Sequence, residues 1–94
     1  MKYLSELRAK KNEIQAEKLY EQKLIQKFGV QSYKRLKEGD YWLGMTEEMA
    51  VVSLGYPDAK NRSVGSWGVH EQWIFKGLYL YFENGKLDSY QERY

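Results

Sequence analysis

The sequence predicts an α+β domain: two short helices packed on one face of a three-stranded antiparallel meander, preceded by a long N-terminal helix. Three observations lead there. Lys2 to Phe28 contains no Pro or Gly and is rich in Glu, Lys, Gln, Leu and Ala, the residues that lose least entropy in a helix. Helix-start and helix-stop signals then bracket two short segments. From Val69 onward the apolar period changes from helical to two, with the tight-turn dipeptides Lys76-Gly77 and Asn84-Gly85 dividing the run.

In chain order, Gly29 follows Phe28 as a helix stop, and Ser32 is placed to cap a short helix from Tyr33 to Glu38 that ends at Gly39. The apolar residues of the first helix thicken only at Leu19, Tyr20, Leu24, Ile25 and Phe28, so the residues before Leu19 read as a solvated arm that contributes little to folding. Thr46 is a natural N-cap, with Glu47 and Glu48 in the first turn where the helix dipole favours negative charge. On a helix these two carboxylates diverge and are expected to face water. Gly55 and Pro57 end that segment after Leu54.

In the meander, a Lys76-Gly77 turn sets Phe75 opposite Leu78 and Trp73 opposite Leu80, and an Asn84-Gly85 type I′ turn sets Phe82 opposite Leu87. The two registers agree on one buried face, which a one-residue slip would destroy. The expected core is Leu24, Phe28, Leu36, Ala50, Val51, Leu54, Trp73, Phe75, Leu78, Leu80, Phe82 and Leu87. A weaker strand, roughly Lys60 to Val64, precedes the meander; joined through Gly65 to Gly68, it would place Val64 opposite Val69 and pair Arg62 with Glu71 as an ion pair. The organisation expected is a basic helical region over residues 1–38 and a core domain over 39–94.

Composition narrows the function. The chain has 94 residues, enough for one small core. It has no Cys and a single histidine, His70, which leaves no thiol nucleophile, no His/Cys metal cluster and no His-paired nucleophile, and no cofactor motif is visible. No apolar run reaches the roughly 18 residues of a membrane helix. The expected location is the cytoplasm, with an origin in the cell envelope open if a leader once preceded the sequence.

The motifs quoted above also carry a resemblance. Gly44-Met45-Thr46, a short helix ending Leu54-Gly55 with Pro57 beyond, Trp73 and Phe75 two apart, and Tyr81-Phe82-Glu83-Asn84-Gly85-Lys86-Leu87 together resemble the SmpA/OmlA (BamE-like) family over about half the chain. The resemblance implies an α-α-β-β-β domain, a fold shared with β-lactamase inhibitory proteins, that binds protein partners or lipid head groups and catalyses nothing. Family members in outer-membrane assembly carry a lipid-bearing Cys; this chain has none, which points to a branch without the lipoprotein anchor.

Two functional readings follow. In the first, a non-enzymatic adaptor or inhibitor-like module binds a protein partner or a second copy through the sheet face opposite the helices, with Ile74, Tyr79, Tyr81, Tyr90 and Gln72 on that face and Trp67 exposed in the preceding loop. Tyrosine is also a good strand former, and the N-terminal helix or a second copy could cover the face instead. The second reading uses charge asymmetry. Residues 1–37 hold ten Lys/Arg against four Glu, whereas 38–94 hold five against nine acidic residues. Lys10, Lys11, Lys18, Lys23, Lys27, Lys34, Arg35 and Lys37 could contact nucleic acid or another anionic surface. Glu6, Glu13, Glu17 and Glu21 interrupt them, as on a solvated helix. No residue constellation supports an enzyme or a small-molecule substrate.

Overall fold

The structure, a computed structural model, describes residues 16–93. These divide between two compact units, Met1–Lys34 and Arg35–Tyr94. In the first unit, helix α1 occupies residues 16–28, and Gly29 is the sole break before α2, Val30–Lys37, which runs on into the second unit. Among the described residues α1 spans only 16–28, against the long N-terminal helix expected from the sequence; residues 1–15 lie outside the described part. Gly29 takes φ +86°, closing α1 through its amide on the Ile25 carbonyl (2.8 Å) while its own carbonyl accepts the first bond of α2 from Tyr33 (3.0 Å). Ser32 is therefore inside α2 and does not cap it. Of the apolar cluster on α1 only Leu24 is buried, and Leu19 and Tyr20 are exposed.

The second unit holds the sheet. Helix α3, Glu47–Leu54, has the expected boundaries: the Thr46 hydroxyl accepts the Met49 amide at 3.2 Å, and Gly55 closes the helix on the Val51 carbonyl at 2.8 Å. Four strands follow, β1 Ala59–Gly65, β2 Gly68–Phe75, β3 Leu78–Glu83 and β4 Lys86–Glu92, all antiparallel in the order β1-β2-β3-β4. The three-stranded meander expected from the sequence is thus corrected to four strands. Strand β1 joins as a full ladder of seven pairs from Ala59↔Ile74 to Gly65↔Gly68, although Ala59-Lys60-Asn61 has poor strand propensity. Its pairing depends on the two-residue Ser66-Trp67 turn and the backbone ladder, because six of its seven residues are exposed.

The expected registers are all present: Phe75↔Leu78, Trp73↔Leu80, Phe82↔Leu87, Val64↔Val69 and Arg62↔Glu71. On the face they define, Trp73, Leu80, Phe82 and Leu87 are buried, together with Leu36, Met45 and Ala50 of this unit. The Trp73 and Phe82 rings lie 4.5 Å apart between centroids. Phe28, Val51, Leu54, Phe75 and Leu78, expected in the core, are only half-buried. Met45 was not expected there and is fully enclosed. The chain just before α3 also ties itself to β4, with the Gly44 amide on the Leu87 carbonyl and the Leu87 amide on the Met45 carbonyl, both 2.8 Å.

Candidate interaction face

Alternation along the strands leaves one sheet face opposite the buried one, and most of the partner-binding residues expected from the sequence fall on it. Gln72 and Ile74 lie there on β2 and Tyr79 and Tyr81 on β3, paired as Gln72↔Tyr81 and Ile74↔Tyr79. All four are half-buried. Their polar ends form a chain across the sheet. The Asn61 amide donates to the Gln72 carbonyl oxygen (3.1 Å), the Gln72 amide donates to the Tyr81 hydroxyl (3.4 Å), and that hydroxyl donates to Gln91 (3.4 Å). Arg93 donates to the Tyr79 hydroxyl at 3.1 Å with its guanidinium 4.9 Å from that ring's centre. Each bond is modest alone, but the connected set restrains Tyr81, while Tyr79 is restrained separately by Arg93.

Beside this chain the face dips into a depression of about 360 Å³, lined among others by Ser63, His70, Gln72, Tyr81, Glu83 and Asp88. His70 and Glu83, cross-strand partners, approach to 3.3 Å there. Trp67 borders it. Its indole occupies the space a Gly65 side chain would need, 2.4 Å from where a Cβ would stand, and sits 6.1 Å from the His70 ring, so it lies on this face although it is 61% exposed.

Tyr90 is not on this face. The Asn84-Gly85 turn sets Phe82↔Leu87, but a bulge then shifts the register to Tyr81↔Ser89 and Leu80↔Tyr90. One extra residue, Asp88, moves every later side chain of β4 across the sheet. Tyr90 therefore shares the side of Leu80 and meets Tyr41 edge-on at 5.1 Å. The same shift brings Gln91 to the open face, where no period-two reading of the sequence would place it.

The basic residues do not converge. Lys10 and Lys11 lie outside the described residues. On α1, Lys23 and Lys27 share a side, but Lys18 projects about 140° away from Lys23 at 3.6 residues per turn. Lys34 and Lys37 are exposed on α2. Arg35 has a local structural role: it bonds Asp40 at 2.8 Å, stacks 4.2 Å from the centre of the Trp42 ring, and holds the Asp40 carboxyl below the usual carboxylate range.

Two carboxyl groups behave differently from the expectation. Glu47 does not face water: it is half-buried at the start of α3 and shares a hydrogen bond with Glu71 of β2. Glu71 bonds Glu47 and the Trp73 indole N–H (3.1 Å), while Arg62 and Lys60 act on it through their charge, in place of the simple Arg62 ion pair expected. Burial and the Glu71 charge push the Glu47 carboxyl up from 4.5 to about 7, whereas the bond from Glu47 holds Glu71 low. The linkage has a definite sign. Between pH 4.5 and 7 folded Glu47 keeps a proton that the unfolded chain releases, so this site's stabilisation falls as pH rises through that window. The Glu71 contribution is instead present above 4.5 and is lost as pH falls below it. Glu47→Gln, which keeps a donor toward Glu71, should match the parent near pH 5 and exceed it at about pH 8.5 by on the order of 1 kcal/mol, reduced from the full linkage by solvent screening. Denaturant titrations at the two pH values check this; equal parent and variant stability at both would refute the shared proton.

The Trp73 indole N–H bonds Glu71, and the charges of Lys60 and Arg62 act to lower the pKa of both carboxyls. Among the described residues no group of three or more His, Asp or Glu side chains is arranged to hold a metal ion, and no helix is long and apolar enough to cross a membrane. No protein-family model matches the chain, and neither the curated proteins nor the solved structures contain a match.

Proposed function

We propose that this chain is a non-enzymatic interaction module, in the manner of BamE-like adaptor domains, that binds a protein partner through its open sheet face. The observation that carries the reading is the pair Tyr79 and Tyr81. Both rings lie on the sheet face opposite the buried one, Tyr81 held by hydrogen bonds with Gln72 and Gln91 and Tyr79 by one from Arg93. Cross-strand pairing stabilises a sheet by only about 0.2–1 kcal/mol per pair, a small return for placing two rings on an open surface. A preorganised tyrosine, by contrast, offers large apolar area and a hydroxyl with little entropy left to lose on binding. The motif order that resembles the SmpA/OmlA family maps onto α3 and β2 to β4, which supports the same class of role.

The test is capture of a partner from the native cell with three baits: the parent, Tyr79→Ser/Tyr81→Ser, and Tyr90→Ser. Hot-spot tyrosines contribute about 2 kcal/mol or more, so the double variant should bind the captured partner about 30-fold more weakly while its melting stays close to the parent's. Tyr90→Ser should bind as the parent does, because the bulge puts that ring on the other side. A folded double variant that captures the same partner undiminished overturns the reading.

A further inference from the structure

The outer edge of β1 is a second surface whose chemistry is specific. Among the described residues nothing pairs with it, since the sheet order ends at β1. The strand is seven residues long, contains no Pro and keeps an unbroken register with β2. Alternate residues of such a strand direct their N–H and C=O groups outward, a template for another strand. The opposite edge is different: β4 carries the bulge, and its first residues are engaged by Gly44, Met45 and Thr46.

The side chains of β1 select what can be added. Lys60, Arg62 and Val64 share one side by register with Trp73, Glu71 and Val69, and all three are exposed. Glu71 lies directly across from Arg62, and the Lys60 ammonium lies 4.2 Å from the centre of the Trp73 ring. Two copies paired antiparallel through β1, in the register that engages all seven residues, would set Arg62 against Arg62. Like charges directly opposite destabilise a ladder. Carboxylates at alternate positions of an incoming strand would instead face Lys60 and Arg62, with small polar residues beside Asn61 and Ser63.

We infer that the β1 edge binds an extended acidic segment of a protein partner by strand addition, the backbone supplying affinity and Lys60 and Arg62 supplying the charge preference. The inference shares with the proposed function only that the partner is a protein; the surface differs, so either can fail alone.

The probe is a short synthetic peptide alternating Glu and Thr, compared with one alternating Lys and Thr, and the readout is amide hydrogen exchange of residues 59–65 in the whole chain. The Glu peptide should slow exchange of the outward β1 amides by about tenfold or more, and the Lys peptide should not. Arg62→Glu, at an exposed position, should reverse that preference; if the variant does not fold, the two-peptide comparison on the parent decides. Equal protection by both peptides, or by neither, overturns the inference. Protection that rises with protein concentration alone assigns the edge to a second copy and overturns it as well. Loss of capture in the Tyr79/Tyr81 double variant is independent of all these outcomes.

Discussion

Trp73→Ala is expected to lose about 3–5 kcal/mol of folding stability, the range for emptying a large aromatic site. A small domain holds about 5–10 kcal/mol in all, so the variant should be largely unfolded near 37 °C. Trp73 is 1% exposed and is the largest fully buried side chain. Its ring meets Phe82 at 4.5 Å and Phe75 at 6.5 Å, with the Lys60 ammonium 4.2 Å from its centre. Little around it can collapse into the space, because the strand backbones on either side are held by the ladder. Trp73→Phe separates the two contributions: it keeps most of the ring and removes the N–H that Glu71 accepts, so it should cost about 1–3 kcal/mol. Denaturant unfolding of both variants checks the pair. A Trp73→Ala chain that unfolds at the parent's midpoint would contradict the register on which the whole sheet is built.

That register was legible in the sequence for a physical reason. Lys76-Gly77 and Asn84-Gly85 are two-residue turns, which leave no slack, so each fixes which residues face each other; Asn84 and Gly85 take φ +52° and +82°, the left-handed pair such a turn requires. The bulge at Asp88 had no comparable signal. Ser89 and Tyr90 are acceptable on either side of a strand, and nothing local announces an extra residue, so strict alternation puts Tyr90 on the wrong face and passes over Gln91. Strand β1 reads weakly in the sequence because Ala59-Lys60-Asn61 has little strand preference of its own and forms by pairing with β2. Glu47 shows a different limit. The dipole argument placed a carboxylate correctly at the helix start, but its meeting with Glu71 depends on how α3 lies over β2, which is a tertiary property.

Met45→Ala should cost about 2–5 kcal/mol, comparable to other large-to-small changes at fully enclosed sites. Met45 is 0% exposed, yet it belongs to no helix or strand and so escaped any argument from apolar period. Its placement comes from its neighbours. The Gly44 amide and the Met45 carbonyl both bond Leu87, and Thr46 bridges to Lys86, so three successive residues are pinned along the start of β4. With the backbone fixed, the side chain has one direction left, into the core beside Leu87. The pinning also means that the chain cannot shift inward to fill the cavity when the side chain is truncated. Met45→Leu, similar in volume, should cost less than about 1.5 kcal/mol. Thermal and denaturant melts of the two variants test this: a Met45→Ala chain as stable as the parent would show that the backbone bonds of Gly44 and Met45, without the side chain, hold this end of β4 closed.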